Sequence, residues 1–277
     1  MSSLTPTTEA SVYGSVRVKY YPSTGGKRVA QIQAFDHPVF RRSGWIERGD
    51  PGEDESPEQM FAGEHTDPAL LRERALRRAK VAAFDLIACN PDLDAFCTFT
   101  FDPSKFDRTS YDDVYKSLSI WAGNRVQRRG LKYVLVPEYH ETNRDVYGDA
   151  IHFHALCTSE ALDLVRAISP YDGHPLTEHG RAVYNISSWR YGFSTAMLVK
   201  ASETDRDKVT KYIYKYMGKQ GGQKIGGRYY LHGGDLATPT YKVYDDLSEI
   251  DVDLGEAKYN RVSDIDGAGV YSEWSFI

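Results

Sequence analysis

The sequence predicts an α+β fold, an antiparallel sheet with helices packed against it. Three observations carry this. From Asp67 onward the patterning runs helix, strand, helix, strand, strand, helix, strand, strand, helix. The strand segments are short, and neighbouring ones are close enough in sequence to pair as hairpins. The stretch Ala150-Ile151-His152-Phe153-His154-Ala155-Leu156 alternates residue by residue, which puts Ile151, Phe153 and Ala155 on one face and His152 and His154 on the other.

At 277 residues, 41% hydrophobic and 26% charged, the chain has the balance of a soluble globular protein with one good core and room for a small second unit. No apolar run approaches the roughly 18–20 residues that span a bilayer. The first residues lack a basic region followed by an apolar one, so a cytoplasmic location is expected and a membrane partner is not. Cys89, Cys97 and Cys157 form an odd set without paired spacing, which predicts reduced thiols rather than a disulfide framework or a cysteine metal site. Net charge is −5, unevenly spread: residues 245–277 hold nine acids against two bases, and residues 1–66 nine against seven. The body between them is therefore mildly basic, which permits a nucleic-acid partner without requiring one.

Val12–Tyr21 and Arg28–Phe35 read as two strands joined by the hairpin signal Pro22-Ser23-Thr24-Gly25-Gly26. Residues 39–65 read as loop. A helix is predicted from Asp67-Pro68 to Cys89, with Asp as cap and Pro in the first turn. Leu71, Ala75, Ala79, Ala82 and Leu86 form its apolar stripe, and Arg72, Arg74, Arg77, Arg78 and Lys80 a basic one. Arg77 and Arg78 are candidates for contact with DNA phosphates, although a solvated face explains such a run equally well.

Residues 95–101, Ala-Phe-Cys-Thr-Phe-Thr-Phe, read as a strand of high β propensity. Ser110 and Asp113 have the spacing of an N-cap. The helix they open buries Tyr111, Val114, Tyr115, Leu118 and Trp121. It ends in Arg125, Arg128 and Arg129 before Gly130, the charge sign a helix C-terminus favours. Leu131–Glu138 is the next strand. Ser159 is expected to cap a short helix carrying Leu162, Val165 and Ile168. Val183–Ile186 and Phe193–Val199 are read as strands, 205–218 as a helix, and 228–231 as a short strand. The acidic segment after Asp245 is expected to be an irregular tail.

The two histidines stand roughly 7 Å apart along their strand, close enough to converge on one cation. Downstream, Tyr212 and Tyr216 are four apart, each followed three residues later by lysine, at Lys215 and Lys219. At ~100° per residue, Lys208, Tyr212, Lys215 and Tyr216 share a helical stripe, while Val209, Ile213 and Met217 form the docking face. Read alone, His-x-His is also what two polar side chains on a solvent face would look like.

Together these motifs resemble the HUH endonuclease superfamily, and within it the rolling-circle replication initiators of small single-stranded DNA phages (microvirus-like) and related plasmids. The resemblance spans roughly 67–240. It rests on Phe96-Cys97-Thr98-Phe99-Thr100 before an acidic turn, Glu138-Tyr139-His140-Glu141, His152-Phe153-His154, and Tyr212-Ile213-Tyr214-Lys215-Tyr216-Met217-Gly218-Lys219, in that order. The loop before His152 is several residues longer than in many relatives. The resemblance implies a central antiparallel sheet with ferredoxin-like relations, His-x-His on a middle strand, and an N-terminal β-hairpin extension. The implied divisions are 1–66, a 67–243 endonuclease domain, and 244–277.

It also implies a metal-dependent, site-specific DNA endonuclease and ligase acting by transesterification. His152, His154 and Glu138 would hold Mg2+ or Mn2+, with His140 and Glu141 as alternative third ligands. Tyr212 and Tyr216 are the candidate nucleophiles, in an order the motif leaves open, and Lys215 and Lys219 the phosphate-stabilising lysines. Lys208, Lys211, Arg77 and Arg78 would bind DNA. The partners implied are a single-stranded DNA origin and the host replication helicase and polymerase. A relaxase or transposase built on the same site is the alternative enzyme, although no helicase-like Gly-rich phosphate loop is visible. A non-catalytic sheet stacking bases on Phe99, Phe101, Tyr133 and Phe153 is the alternative binding module. A small-molecule metalloenzyme would leave the tyrosine–lysine pattern unexplained.

Overall fold

The computed structural model describes residues 10–13, 16–23, 25–35, 39–42, 67–140, 149–199, 210–211, 213, 215–219, 223–265 and 269–277. The chain opens with β1 (Ala10–Tyr13), β2 (Val16–Ser23), β3 (Gly26–Phe35) and β4 (Val39–Arg42). Helix α1 (Pro68–Cys89), β5 (Ala95–Phe99), helix α2 (Tyr111–Arg129), β6 (Tyr133–Tyr139) and β7 (Ile151–Cys157) follow. Next come β8 (Leu164–Arg166), β9 (Thr177–Glu178), β10 (Arg181–Ala182), β11 (Tyr184–Ile186), β12 (Ser194–Leu198) and β13 (Leu231–Gly233). The last strands are β14 (Thr240–Tyr244), β15 (Tyr259–Ile265) and β16 (Gly269–Ser275). A further helix is helical at 210, 211, 213 and 215–218. The chain forms two compact units, one of Thr66–Ala237 and one of Met1–His65 with Thr238–Ile277. The architecture is α+β, with large antiparallel sheets and few helices.

The larger unit is built on a seven-stranded sheet in the order β13-β6-β7-β5-β12-β11-β8. The paired β6, β7 and β5 set its centre, and opposite residues in register share a face. Ile151, Phe153, Ala155 and Cys157 of β7 join Leu135 of β6, Cys97 and Phe99 of β5, and Val114, Leu118 and Trp121 of α2 in one core. The opposite face carries His152, His154 and Leu156, with Val134, Val136 and Glu138 across on β6 and Phe96 and Thr98 on β5. Val134, Val136, Leu156 and Phe96 of that face pack with Ala83, Leu86 and Ile87 of α1 and with Ile213, Tyr216 and Met217 of the third helix. The histidine face is thus roofed by two helices and every residue of β7 is buried. All three cysteines are free and buried.

Local chemistry explains the helix ends. The Asp67 side chain accepts from the Ala69 N–H at 2.8 Å, and Pro68 fills the first turn. Only the second half of α1 is well buried, at Ala83, Asp85, Leu86, Ile87 and Cys89; Leu71 of the expected stripe is 51% exposed. Periodicity identifies a face, not how far the covering surface extends. Asn90 closes α1 and donates to Leu86 O (2.7 Å) and Ala237 O (2.9 Å), while its Oδ1 accepts from the Ala237 N–H (2.9 Å). Ser110 caps α2 by accepting from the Asp113 N–H, and Gly130 ends it at φ 67, a conformation glycine adopts without strain.

Four expectations need correction. Ser159–Ala161 is a single 3-10 turn, and the residues after it form β8 rather than a helix. Val165 and Ile168 are half exposed, and pairing of β8 with β11 decides the conformation there. The strand expected at 228–231 starts at Leu231, where pairing with Leu135 of β6 begins. The predicted loop 39–65 contains β4, paired with β1. Residues 244–277 are not an irregular tail: β16 pairs with both β3 and β15 in a five-stranded sheet ordered β14-β2-β3-β16-β15. Its core is Val16, Val18, Ile32 and Ala34, with Trp274 and Phe276 against them. Partners more than two hundred residues away in sequence leave no local signal. Among the described residues no helix is long and apolar enough to cross a membrane.

Trp189, in the turn between β11 and β12, is 5% exposed and donates its indole N–H to Thr100 O at 3.0 Å. Its ring lies 4.8 Å from Phe99, 5.2 Å from Phe101 and 5.4 Å from Trp121, centroid to centroid. Gly192 lies so close to the Thr100–Asp102 backbone that a Cβ would sit 2.4 Å from Thr100 O. Trp189→Ala should therefore cost about 3–5 kcal/mol in urea unfolding; a loss below about 1 kcal/mol would show that this aromatic cluster is not a keystone of the larger unit.

Candidate active site

Glu138 lies opposite His152 in the β6–β7 register, and His154 lies two residues along the same face. Glu138 Oε2 is 3.2 Å from His152 Nε2 and 2.8 Å from His154 Nε2, and the two Nε2 atoms are 3.0 Å apart. Adjacent ligands of an octahedral ion bound at about 2.1 Å stand about 3 Å apart, so this spacing fits a small divalent cation. The three residues are the one group of this kind among the described residues, with ligand atoms within 4.8 Å of one another. Both imidazoles turn Nε2 inward. The Nδ1 atom of His154 is 3.1 Å from Thr98 Oγ1, which fixes the ring and its tautomer. The Nδ1 atom of His152 is buried without a hydrogen-bond partner among the described residues.

Electrostatics follow from burial. Glu138 is 2% exposed, and burial alone would raise its carboxyl. Hydrogen bonds from His152, His154 and Lys219 outweigh that and hold it well below the usual carboxylate range. The Lys219 ammonium pairs with Glu138 Oε1, the oxygen the histidines leave open. His154 is pushed below the ordinary histidine range, first by burial and then by His152 and Lys219, against the pull of Glu138. Neutral imidazole is the ligating form, so burial favours the state that binds a cation. His140, an alternative ligand in the sequence, has its ring 4.1 Å from that of His152 but is outside the triad. Its pKa too is lowered, chiefly by burial. Glu141 lies outside the described residues.

The third helix lies over the histidines. Ile213 and Met217 dock it, as the periodicity predicts. Tyr216 shares that buried side, 7% exposed, with its ring stacked on His154 at 3.8 Å and 15°. The Lys219 Nζ is 5.0 Å from the Tyr216 ring centroid. Tyr216 and Lys219 therefore meet the triad directly. Lys215 and Lys211 are exposed on the helix. Tyr212 and Lys208 lie outside the described residues, as do Val209 and Tyr214. Arg77 and Arg78 are exposed on α1, whose far end packs in the same core as Tyr216.

Three contacts went unread in the sequence. Thr98 reaches His154, Phe96 stacks on the same imidazole at 5.7 Å, and a Cβ on Gly218 would lie 3.2 Å from the Lys80 Nζ. The signal for the first two was present: Phe96 and Thr98 alternate on one face of β5, the next strand to the histidines. The base-stacking alternative needs its aromatics exposed, yet Phe99 and Phe153 are 0% and Phe101 2% exposed.

No curated protein and no solved structure matches the chain. A family model does, and it covers β5 to the third helix, the stretch that holds the triad and Tyr216. Residues 94–221 match the family of the replication-associated protein ORF2, consistent with a rolling-circle replication initiator of the HUH type.

Proposed function

We propose that the protein is a replication initiator with an HUH-type fold that nicks single-stranded DNA at an origin through a tyrosine, then rejoins the ends. The observation that carries this reading is the stacking of Tyr216 on His154, within a site where two imidazoles and a carboxylate share one small space. A phenol, a cation-binding triad and a lysine in contact are the parts a phosphodiester transesterification needs.

In the forward step a tyrosine phenolate oxygen attacks the scissile phosphorus. The bond to the 3′ oxygen breaks, and that oxygen leaves as a hydroxyl after taking up a proton. The product is a 5′-phosphotyrosine link and a 3′ end able to prime synthesis. The second tyrosine of the Tyr212/Tyr216 pair attacks the regenerated site later, so that the first link is resolved and a circle closes. Mg2+ or Mn2+ held by Glu138, His152 and His154 would neutralise charge on the phosphate oxygens as a Lewis acid. Lys219, beside the Tyr216 ring, favours the phenolate over the phenol, whose ordinary pKa is near 10. Thr98 holds His154 in its ligating tautomer. Lys208, Lys211, Lys215, Arg77 and Arg78 supply positive charge for the DNA backbone.

Incubating the protein with circular single-stranded DNA and Mn2+ should give a covalent adduct visible as a shifted band. Tyr212→Phe plus Tyr216→Phe should abolish it, while each single variant blocks the step that uses its own phenol. An adduct that survives the double variant would falsify tyrosine catalysis here. The metal half is checked separately, by Mn2+ titration followed by electron paramagnetic resonance. His152→Ala or Glu138→Ala should weaken Mn2+ binding at least about 100-fold, and Thr98→Val about 10–100-fold, with Thr98→Ser close to wild type. Equal Mn2+ affinity in all four proteins would sink the assignment of the triad.

A further inference from the structure

We infer that the cleft between the C-terminal half of α2 and the turn 187–192 is a second binding site, for the phosphate backbone of single-stranded DNA. The inference rests on the reading of the protein as DNA-binding, and goes beyond the nicking site. The cleft has a volume of about 620 Å³ and is lined by Asn124, Arg125, Arg128, Arg129, Arg190 and Tyr191, with Trp121 beneath. Trp121, Asn124, Arg125 and Arg128 recur at helical spacing, so one stripe of α2 forms one wall.

The opposite wall is held rigid. Trp189 is anchored to Thr100 O, the Asp102 N–H donates to Tyr191 O at 2.9 Å, and the Ser187 N–H donates to Asp163 O at 3.0 Å. Arg190 therefore faces α2 from a turn fixed on both sides, which lowers the entropy cost of binding. The attraction of cations to a helix C-terminus accounts for arginines on α2. It does not account for a fourth, brought from another element to the same cavity. Asp163 pairs with Arg125 and lies 4.0 Å from Arg129. Arg128 and Arg190 are exposed, and among the described residues neither has an ion pair. Four guanidinium groups around one carboxylate leave an excess positive field, and paired N–H forks suit phosphate oxygens.

Helix α2 packs on the Phe153 face of the sheet, the face opposite to His152 and His154. A DNA strand in this cleft is thus a different segment from the one being cut. The site would hold the flank of the origin while the nick is made, without reading its sequence.

The test is fluorescence anisotropy of oligothymidylate of about 30 nucleotides, long enough for more than one site, over a salt series. The proteins are wild type, R128Q/R190Q and R128K/R190K, each checked for an unchanged unfolding midpoint. Loss of two phosphate contacts should lower the slope of log K against log salt by about 1.4, and the lysine variant should keep the wild-type slope. A glutamine variant with wild-type affinity and slope overturns the inference, as does equal loss in both variants, which would point to shape rather than charge. The two readings fail separately. Absence of a covalent adduct with an arginine-dependent slope sinks nicking alone, and an adduct with an unchanged slope sinks this site alone.

Discussion

A buried carboxylate must be neutralised where it stands, and Glu138 is the point at which this protein meets that demand. Its two oxygens are divided: one faces His152 and His154, the other Lys219. Removing one partner from such a group costs about 3–5 kcal/mol, because a desolvated charge is left uncompensated. The three partners come from β7 and from the end of the third helix, so the same electrostatic requirement that builds the site also brings those elements to β6. A cation can take over that role because the groups facing it are already inward-turned donors.

The sheet separates stability from chemistry by face. On one side Phe99, Phe101, Phe153, Trp121 and Trp189 form a dry aromatic core against α2. On the other, Val134, Val136 and Leu156 support α1 and the third helix around polar groups that need partners. Strict alternation along β7 makes this possible, because each residue step crosses the sheet. Stacking of His154 on Tyr216 and Phe96, with Thr98 at its Nδ1, fixes one ligand from several directions at once.

Charge is partitioned between the two compact units. The unit of Thr66–Ala237 holds 24 bases against 21 acids, and the unit of both chain ends ten bases against eighteen acids. The overall charge of −5 hides a basic unit that matches the replication-associated family over 94–221. Whole-chain charge is therefore a poor guide to partners here, and the local field is the relevant quantity.

The sequence by itself determined what short-range physics controls. Asp67-Pro68, Ser110 and Gly130 mark helix ends because caps are local. The alternation of β7 separated the histidines from Phe153, and the order of motifs pointed to the family. Tertiary structure alone decided what depends on distant partners. It brought Glu138 within 3.2 Å of both histidines, turned Tyr216 into the buried stack rather than onto the face of Lys215, and paired β16 with β3. It also set Arg190 across from Arg128. Each of these joins groups far apart along the chain, and a periodicity says which way a side chain points but not what it will meet.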